Sequence, residues 1–160
     1  LRVDSTWKET LEQTAAILKK ASSDKWALFA SPQNTNEELY LVKRIFIDTL
    51  KWKQIAFKTP GQDGYEDNFL IQKDKNPNTA GAFKILGHGG AEEMILAVEK
   101  AKRGELEGFF IFNHDLAKIF GAETLKLVRQ KVKTIIVVGT NQNPTADIAD
   151  FVLPAVTYAE

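Results

Sequence analysis

Five short runs in this chain are apolar at consecutive positions instead of alternating: Trp26-Ala-Leu-Phe-Ala30, Ile55-Ala-Phe57, Gly108-Phe-Phe-Ile-Phe112, Thr134-Ile-Ile-Val-Val138 and Phe151-Val-Leu153. Runs of this length, rich in β-branched and aromatic residues, read as strands buried on both faces. Between them the apolar spacing becomes helical. Trp7, Leu11, Thr14 and Leu18 follow the cap-forming residues Asp4, Ser5 and Thr6, with Lys19 and Lys20 in the last turn. Leu39, Val42, Phe46 and Leu50 mark the inner face of a second helix. Helical periodicity returns at Glu92, where Ile95, Val98 and Ala101 or Lys102 share a stripe that Gly104 stops. Leu116 to Phe120, closed by Gly121, Glu123 to Lys131, and a short piece from Pro144 to Ala149 complete the set.

Strands alternating with helices, and apolar throughout, predict an α/β fold. We expect a Rossmann-like, mostly parallel sheet of about five strands with helices on both faces. Residues 58–80 break the rhythm, being polar and turn-rich with Pro60, Gly61, Gly64, Asn76, Pro77 and Asn78. A structureless loop of that length usually serves binding or interaction. In a parallel sheet the carboxyl ends of the strands share one rim, which is where ligands sit in such folds. Four segments are placed there: Ser31 to Asn36, Lys58 to Gly64, Asn113 to Asp115, and Gly139 to Asn143.

Composition narrows the chemistry. The 160 residues hold 21 Lys plus Arg against 21 Asp plus Glu, so overall charge offers no attraction to nucleic acid or anionic lipid. No cysteine is present, which removes disulfides, thiolate metal ligands and iron–sulfur ligation from this segment. His88 and His114 are the two imidazoles, too few for a metal site built on histidine. No apolar run approaches the roughly 20 residues that cross a bilayer.

Thr35-Asn-Glu-Glu38 matches a capping box, and Glu37 with Glu38 would repel a phosphate at that helix start. Gly87-His-Gly-Gly90 lacks the spacing of either phosphate-binding glycine motif and reads as a hinge or tight turn. Gly139-Thr-Asn-Gln-Asn-Pro-Thr145 is the strongest ligand candidate. Gly139 would permit close backbone approach, Asn143 can cap, and Pro144 suits the first helical position. An anion or guanine edge fits this loop, and so does simple strand-to-helix turning. Asn113-His114-Asp115 puts an imidazole beside a carboxylate at a strand end and reads as a surface turn. A hydrolase or transferase using His114 would need a nucleophile, and no nucleophile-elbow pattern is present.

Three blocks together resemble the molybdopterin oxidoreductase superfamily, which includes formate dehydrogenases and the large iron–sulfur G subunit of NADH:quinone oxidoreductase (complex I). The first is Trp7-Lys-Glu-Thr-Leu11 followed by Thr35-Asn-Glu-Glu-Leu-Tyr-Leu41. The second is Asn78-Thr-Ala-Gly-Ala82 with Gly87, and the third is Thr145-Ala-Asp-Ile-Ala-Asp-Phe-Val-Leu-Pro154 through Glu160. The resemblance implies a fragment of a larger subunit, with 1–160 as one α/β domain. It also implies a molybdopterin guanine dinucleotide held by strand-end loops. Carried over by position, those loops contain Asn113, His114, Asp115, Gly139, Thr140, Asn141 and Thr145, with Asn78 and Gly81 in the second block.

The metal-ligating residue and iron–sulfur cysteines of catalytic members have no counterpart here, and the stretch before Asn78 is short. That shortening points within the superfamily to the complex I subunit. The expectation is therefore a structural, docking domain of a respiratory electron-transfer complex, without molybdenum chemistry and with iron–sulfur clusters elsewhere in the subunit. Its partners would be the rest of its subunit and neighbouring subunits, with no nucleic acid and no direct membrane insertion. It would lie in the cytoplasm, peripheral to the inner membrane through the complex. The alternative is a cofactor-binding half-site of a molybdenum or tungsten oxidoreductase.

Overall fold

The computed structural model describes residues 3–61 and 63–156. Five strands form one sheet: β1 (Trp26–Phe29), β2 (Gln54–Ala56), β3 (Gly108–Phe112), β4 (Thr134–Gly139) and β5 (Phe151–Pro154). Their order is β2-β1-β3-β4-β5, and every pairing is parallel. The helices are α1 (Trp7–Lys20), α2 (Asn36–Val42), α3 (Thr79–Leu86), α4 (Ala91–Lys102), α5 (Leu116–Phe120), α6 (Ala122–Lys131) and α7 (Pro144–Ile148). This is a three-layer Rossmann-like α/β fold.

The strands are apolar throughout because both faces are covered. On one face Ala27, Phe29, Phe109, Ile111, Ile135 and Val137 meet residues of α4 to α7, among them Val98, Leu116, Leu125 and Ala146. On the other, Trp26, Leu28, Phe110 and Ile136 meet Leu39, Phe46, Ala82 and Leu86. The second face is aromatic: Phe46 lies 4.8 Å from Phe110 and 5.0 Å from Trp52 between ring centroids. Gly108 pairs in register with Trp26, whose indole lies where a β-carbon on Gly108 would stand, 2.3 Å from the nearest ring atom. Only glycine leaves that ring its place.

The helix ends follow the cap chemistry of the sequence. Thr6 with Glu9, and Thr35 with Glu38, form complete capping boxes. At the opposite end of the sheet from the strand-end rim, Arg129 grips Asp150 with two hydrogen bonds of 2.8 and 3.1 Å. The same carboxylate accepts the Ile135 amide at 2.8 Å, tying α6, β4 and the start of β5.

Four features depart from the sequence reading. The α1 stripe turns inward only in its second half: Thr14 is buried and Ile17 and Leu18 pack on the core, whereas Trp7 and Leu11 are exposed. α2 runs directly into a seven-residue π-helix, Lys43–Thr49, which still buries Phe46. α3 begins at Thr79, inside the stretch expected to be irregular, and buries Ala82 and Leu86 one turn apart. In α4 the inner face is Met94, Ala97, Val98 and Ala101, so Ile95 faces outward. The small Ala97 and Ala101 let α4 sit close on the sheet, a fit that a scan for large apolar residues overlooks.

Candidate functional site: the strand-end rim

With β1 lying between β2 and β3, the chain departs to opposite sides after β1 and β3. The gap between their carboxyl ends is thus the topological switch point. His114 fills it. Asn113 adopts a left-handed backbone (φ 51°), which turns its own side chain outward and sends the next one in. His114 is consequently 5% exposed, not the surface turn expected from its polar neighbours. Its Nε2 lies 2.6 Å from the Ala30 carbonyl after β1. Its Nδ1 lies 3.3 Å from the hydroxyl of Thr59, a buried residue three positions beyond β2. A carbonyl can only accept, so Nε2 carries the proton and Nδ1 accepts from Thr59. Burial holds the imidazole below its usual pKa, opposed in part by the Ala30 hydrogen bond.

The remaining residues of the expected pocket bond mainly to one another. Asp115 caps α5, its Oδ1 accepting the Ala117 and Lys118 amides at 3.0 and 3.3 Å. Thr145, fully buried, accepts the Leu116 amide at 2.7 Å and donates to Asp115 at 3.2 Å. Asn113 Oδ1 accepts the Thr140 amide at 3.2 Å, and Asn141 donates to the Thr140 hydroxyl. Asn143 caps α7 by accepting the Ala146 amide at 2.9 Å. His114 and Asp115 diverge, one inward and one onto its helix.

Gly139 has ordinary space around it: an added β-carbon would meet nothing nearer than 3.7 Å. Its lack of a side chain is therefore not what positions this loop. The opposite holds for Gly81, where a β-carbon would stand 2.2 Å from Asn78 Oδ1 and 2.3 Å from Asn36 Oδ1. Asn78 donates to the Asn34 carbonyl and to Asn36 Oδ1, at 2.9 and 3.0 Å. The first two sequence blocks thus meet where α2 and α3 begin, and Gly81 lets them close. In the Gly87–Gly90 turn, Gly89 (φ 126°) offers its carbonyl to the Phe57 and Lys58 amides, anchoring the exit of β2.

A hollow of about 330 Å³ opens beside Thr59, lined also by Lys58, Phe83, Gly90, Glu92 and Glu93. Lys58 faces Asp63 at 3.1 Å and Asp74 at 3.8 Å, and the two glutamates occupy the first turn of α4. That charge arrangement disfavours a bound anion. A larger hollow, about 450 Å³, lies against the amino-terminal ends of β1 and β2, away from the rim. Among the described residues no group of three or more His, Asp or Glu is placed to hold a metal ion. No helix among them is long and apolar enough to cross a membrane.

Two functional features escaped the sequence reading. The Thr59 and Ala30 partners of His114 lie 55 and 84 residues away and become visible only through the sheet order. The second is how the excursion between β2 and α3, already marked out as a segment for binding or interaction, is ordered. It is closed by an antiparallel bridge, Asp63 to Asp74, and by the Gly64 amide on the Lys73 carbonyl at 2.9 Å. At its tip Asp67 Oδ1 accepts three successive amides, from Phe69, Leu70 and Ile71, at 2.9, 2.7 and 2.8 Å. Those amides, Ile71 first, hold the carboxyl below its usual pKa. The ordered tip exposes Phe69 by 93% and Leu70 by 76%, with Tyr65 beside them.

Comparison with known proteins adds little. No family model matches the chain, and no curated protein matches it in sequence. Among solved structures, a chain from "Structural Basis for the Mechanism and Regulation of Sir2 Enzymes" is similar in outline. It shares 10% identity over 92% of each chain at a TM-score of 0.49, a likeness too slight to carry any statement about chemistry.

Proposed function

We propose that this chain is a non-catalytic docking domain of an oxidoreductase complex, of the kind represented by the G subunit of NADH:quinone oxidoreductase. The observation that carries the reading is the occupation of the rim by its own side chains. Asp115 and Asn143 already satisfy the amides that open α5 and α7, so neither helix start is free to receive a phosphate. Thr145 and Asp150, from the block that most resembles the superfamily, both have structural duties here. The exposed Phe69–Leu70 tip supplies an apolar contact, as a docking part requires. On this reading the domain sits on the cytoplasmic side, peripheral to the inner membrane, and no pterin is bound.

The second reading, a guanine-dinucleotide half-site of a molybdenum or tungsten oxidoreductase, draws on the exposure of Thr140, Asn141 and Gln142 at the same rim. Titration calorimetry with GMP and GDP separates the two. We expect no saturable heat. Saturable binding that disappears in Thr140→Ala would replace the docking reading with the half-site.

A further inference from the structure

His114 occupies a position that touches the exits of three strands. The exit of β1 at Ala30, the exit of β2 at Thr59 and its own segment after β3 are joined through one ring. The β1 exit is otherwise held to β2 by the Ala30 amide on the Ala56 carbonyl at 2.8 Å, and by its own turn, in which Asn34 Oδ1 accepts the Ser31 amide at 3.2 Å; Asn78 adds its amide on the Pro32 carbonyl and its side chain on the Asn34 carbonyl, at 3.1 and 2.9 Å. We propose that His114 is an acid-released latch: as a neutral ring it pins the three strand exits together, and on gaining a second proton it lets the rim open while the sheet below stays folded.

The hydrogen bonds alone would not make the ring acid-sensitive, because the Thr59 hydroxyl can rotate to accept from a protonated Nδ1. The cost lies in placing a charge where water is excluded and no carboxylate waits. The charged groups on the neighbouring elements are engaged elsewhere. Asp115 is turned to the α5 amides and Thr145. Glu38 of α2 accepts from the Thr35 amide and the Asn34 side chain. Lys58 after β2 pairs with Asp63 and Asp74. Glu92 and Glu93 belong to the first turn of α4, and Lys118 of α5 is exposed. Burial is the leading influence on the ring and no charged neighbour contributes.

The sign follows from linkage. The ring binds its proton more weakly in the closed rim than in an opened one, so closure is fully favoured above the free-imidazole value, 6.5. Below it, the opening equilibrium rises about tenfold per pH unit, one proton being taken up. Hydrogen exchange across pH 5 to 8, corrected for intrinsic rates, reads this directly, together with ¹⁵N shifts of the imidazole. The expected result is a tenfold loss of protection per unit at the Ser31 and Asn34 amides of the rim turn below about pH 6.5. The Ile136 and Val137 amides of β4 keep theirs, and His114→Gln shows a flat profile. Equal losses at rim and β4 would overturn the latch. So would an imidazole that titrates normally with the rim still protected, or a slope that survives in His114→Gln. If that variant does not fold, the rim-to-β4 contrast in the unaltered protein decides alone.

Discussion

The rim and the 63–74 excursion invert the usual division between inside and outside. At the rim, an imidazole and two threonine hydroxyls lie buried and satisfied by partners from distant segments of the chain. In the excursion, large apolar side chains stand in solvent on a backbone ordered by one carboxylate. Buried polar groups with all partners in place fix one arrangement of the elements that bear them. Exposed apolar groups on an ordered tip lose little conformational freedom when they meet a surface. Internal cohesion therefore resides in the first region, and the second is the part we propose for external contact.

The largest effect that tests this contrast comes from Thr145→Val, which keeps the shape but removes the hydroxyl. The buried Leu116 amide then lacks an acceptor, which costs about 1–3 kcal/mol. At about 2–4 °C per kcal/mol for a domain of this size, thermal denaturation should register a clear drop in midpoint. A variant that melts with the parent would mean that the rim hydroxyls are not struts. Asp67→Ala should act locally. Amide exchange at Phe69, Leu70 and Ile71 should rise while the melting midpoint holds, because these bonds lie outside the core. Acid should imitate that variant only below the carboxyl's usual 3.8, since Asp67 is held below that value and its contribution is lost as pH falls through the lowered one. The smallest change is expected for Phe69→Ser, within about 0.5 kcal/mol in urea denaturation, as for other exposed positions. A larger loss would show Phe69 to be packed and would remove the tip as a contact surface.

Most of the sheet was legible because strands buried on both faces cannot hide their composition. The run from Thr134 to Val138 sends alternate apolar positions toward two different cores, and the edge runs 55–57 and 151–153 do the same over three residues. The capping boxes at Thr6 and Thr35 were equally plain in residue type. What the sequence concealed was geometry that depends on a neighbour. Helix α3 carries Gly81 in its interior, which argues against a helix until Asn36 is found beside it. The burial of His114 depends on a left-handed turn at Asn113, which residue polarity does not announce. The π-helix after α2 has no pattern of its own, since Leu39, Val42 and Phe46 suit an ordinary helix equally well.

The grip of Arg129 on Asp150 gives the molecule a polarity of motion. That ion pair lies at the foot of β5, where the carboxylate also accepts the Ile135 amide of β4. The foot of the sheet is thereby stitched like the spine of a book. A parting of the upper ends of β4 and β5 would then fan outward about that binding, widest at the top and least at the base.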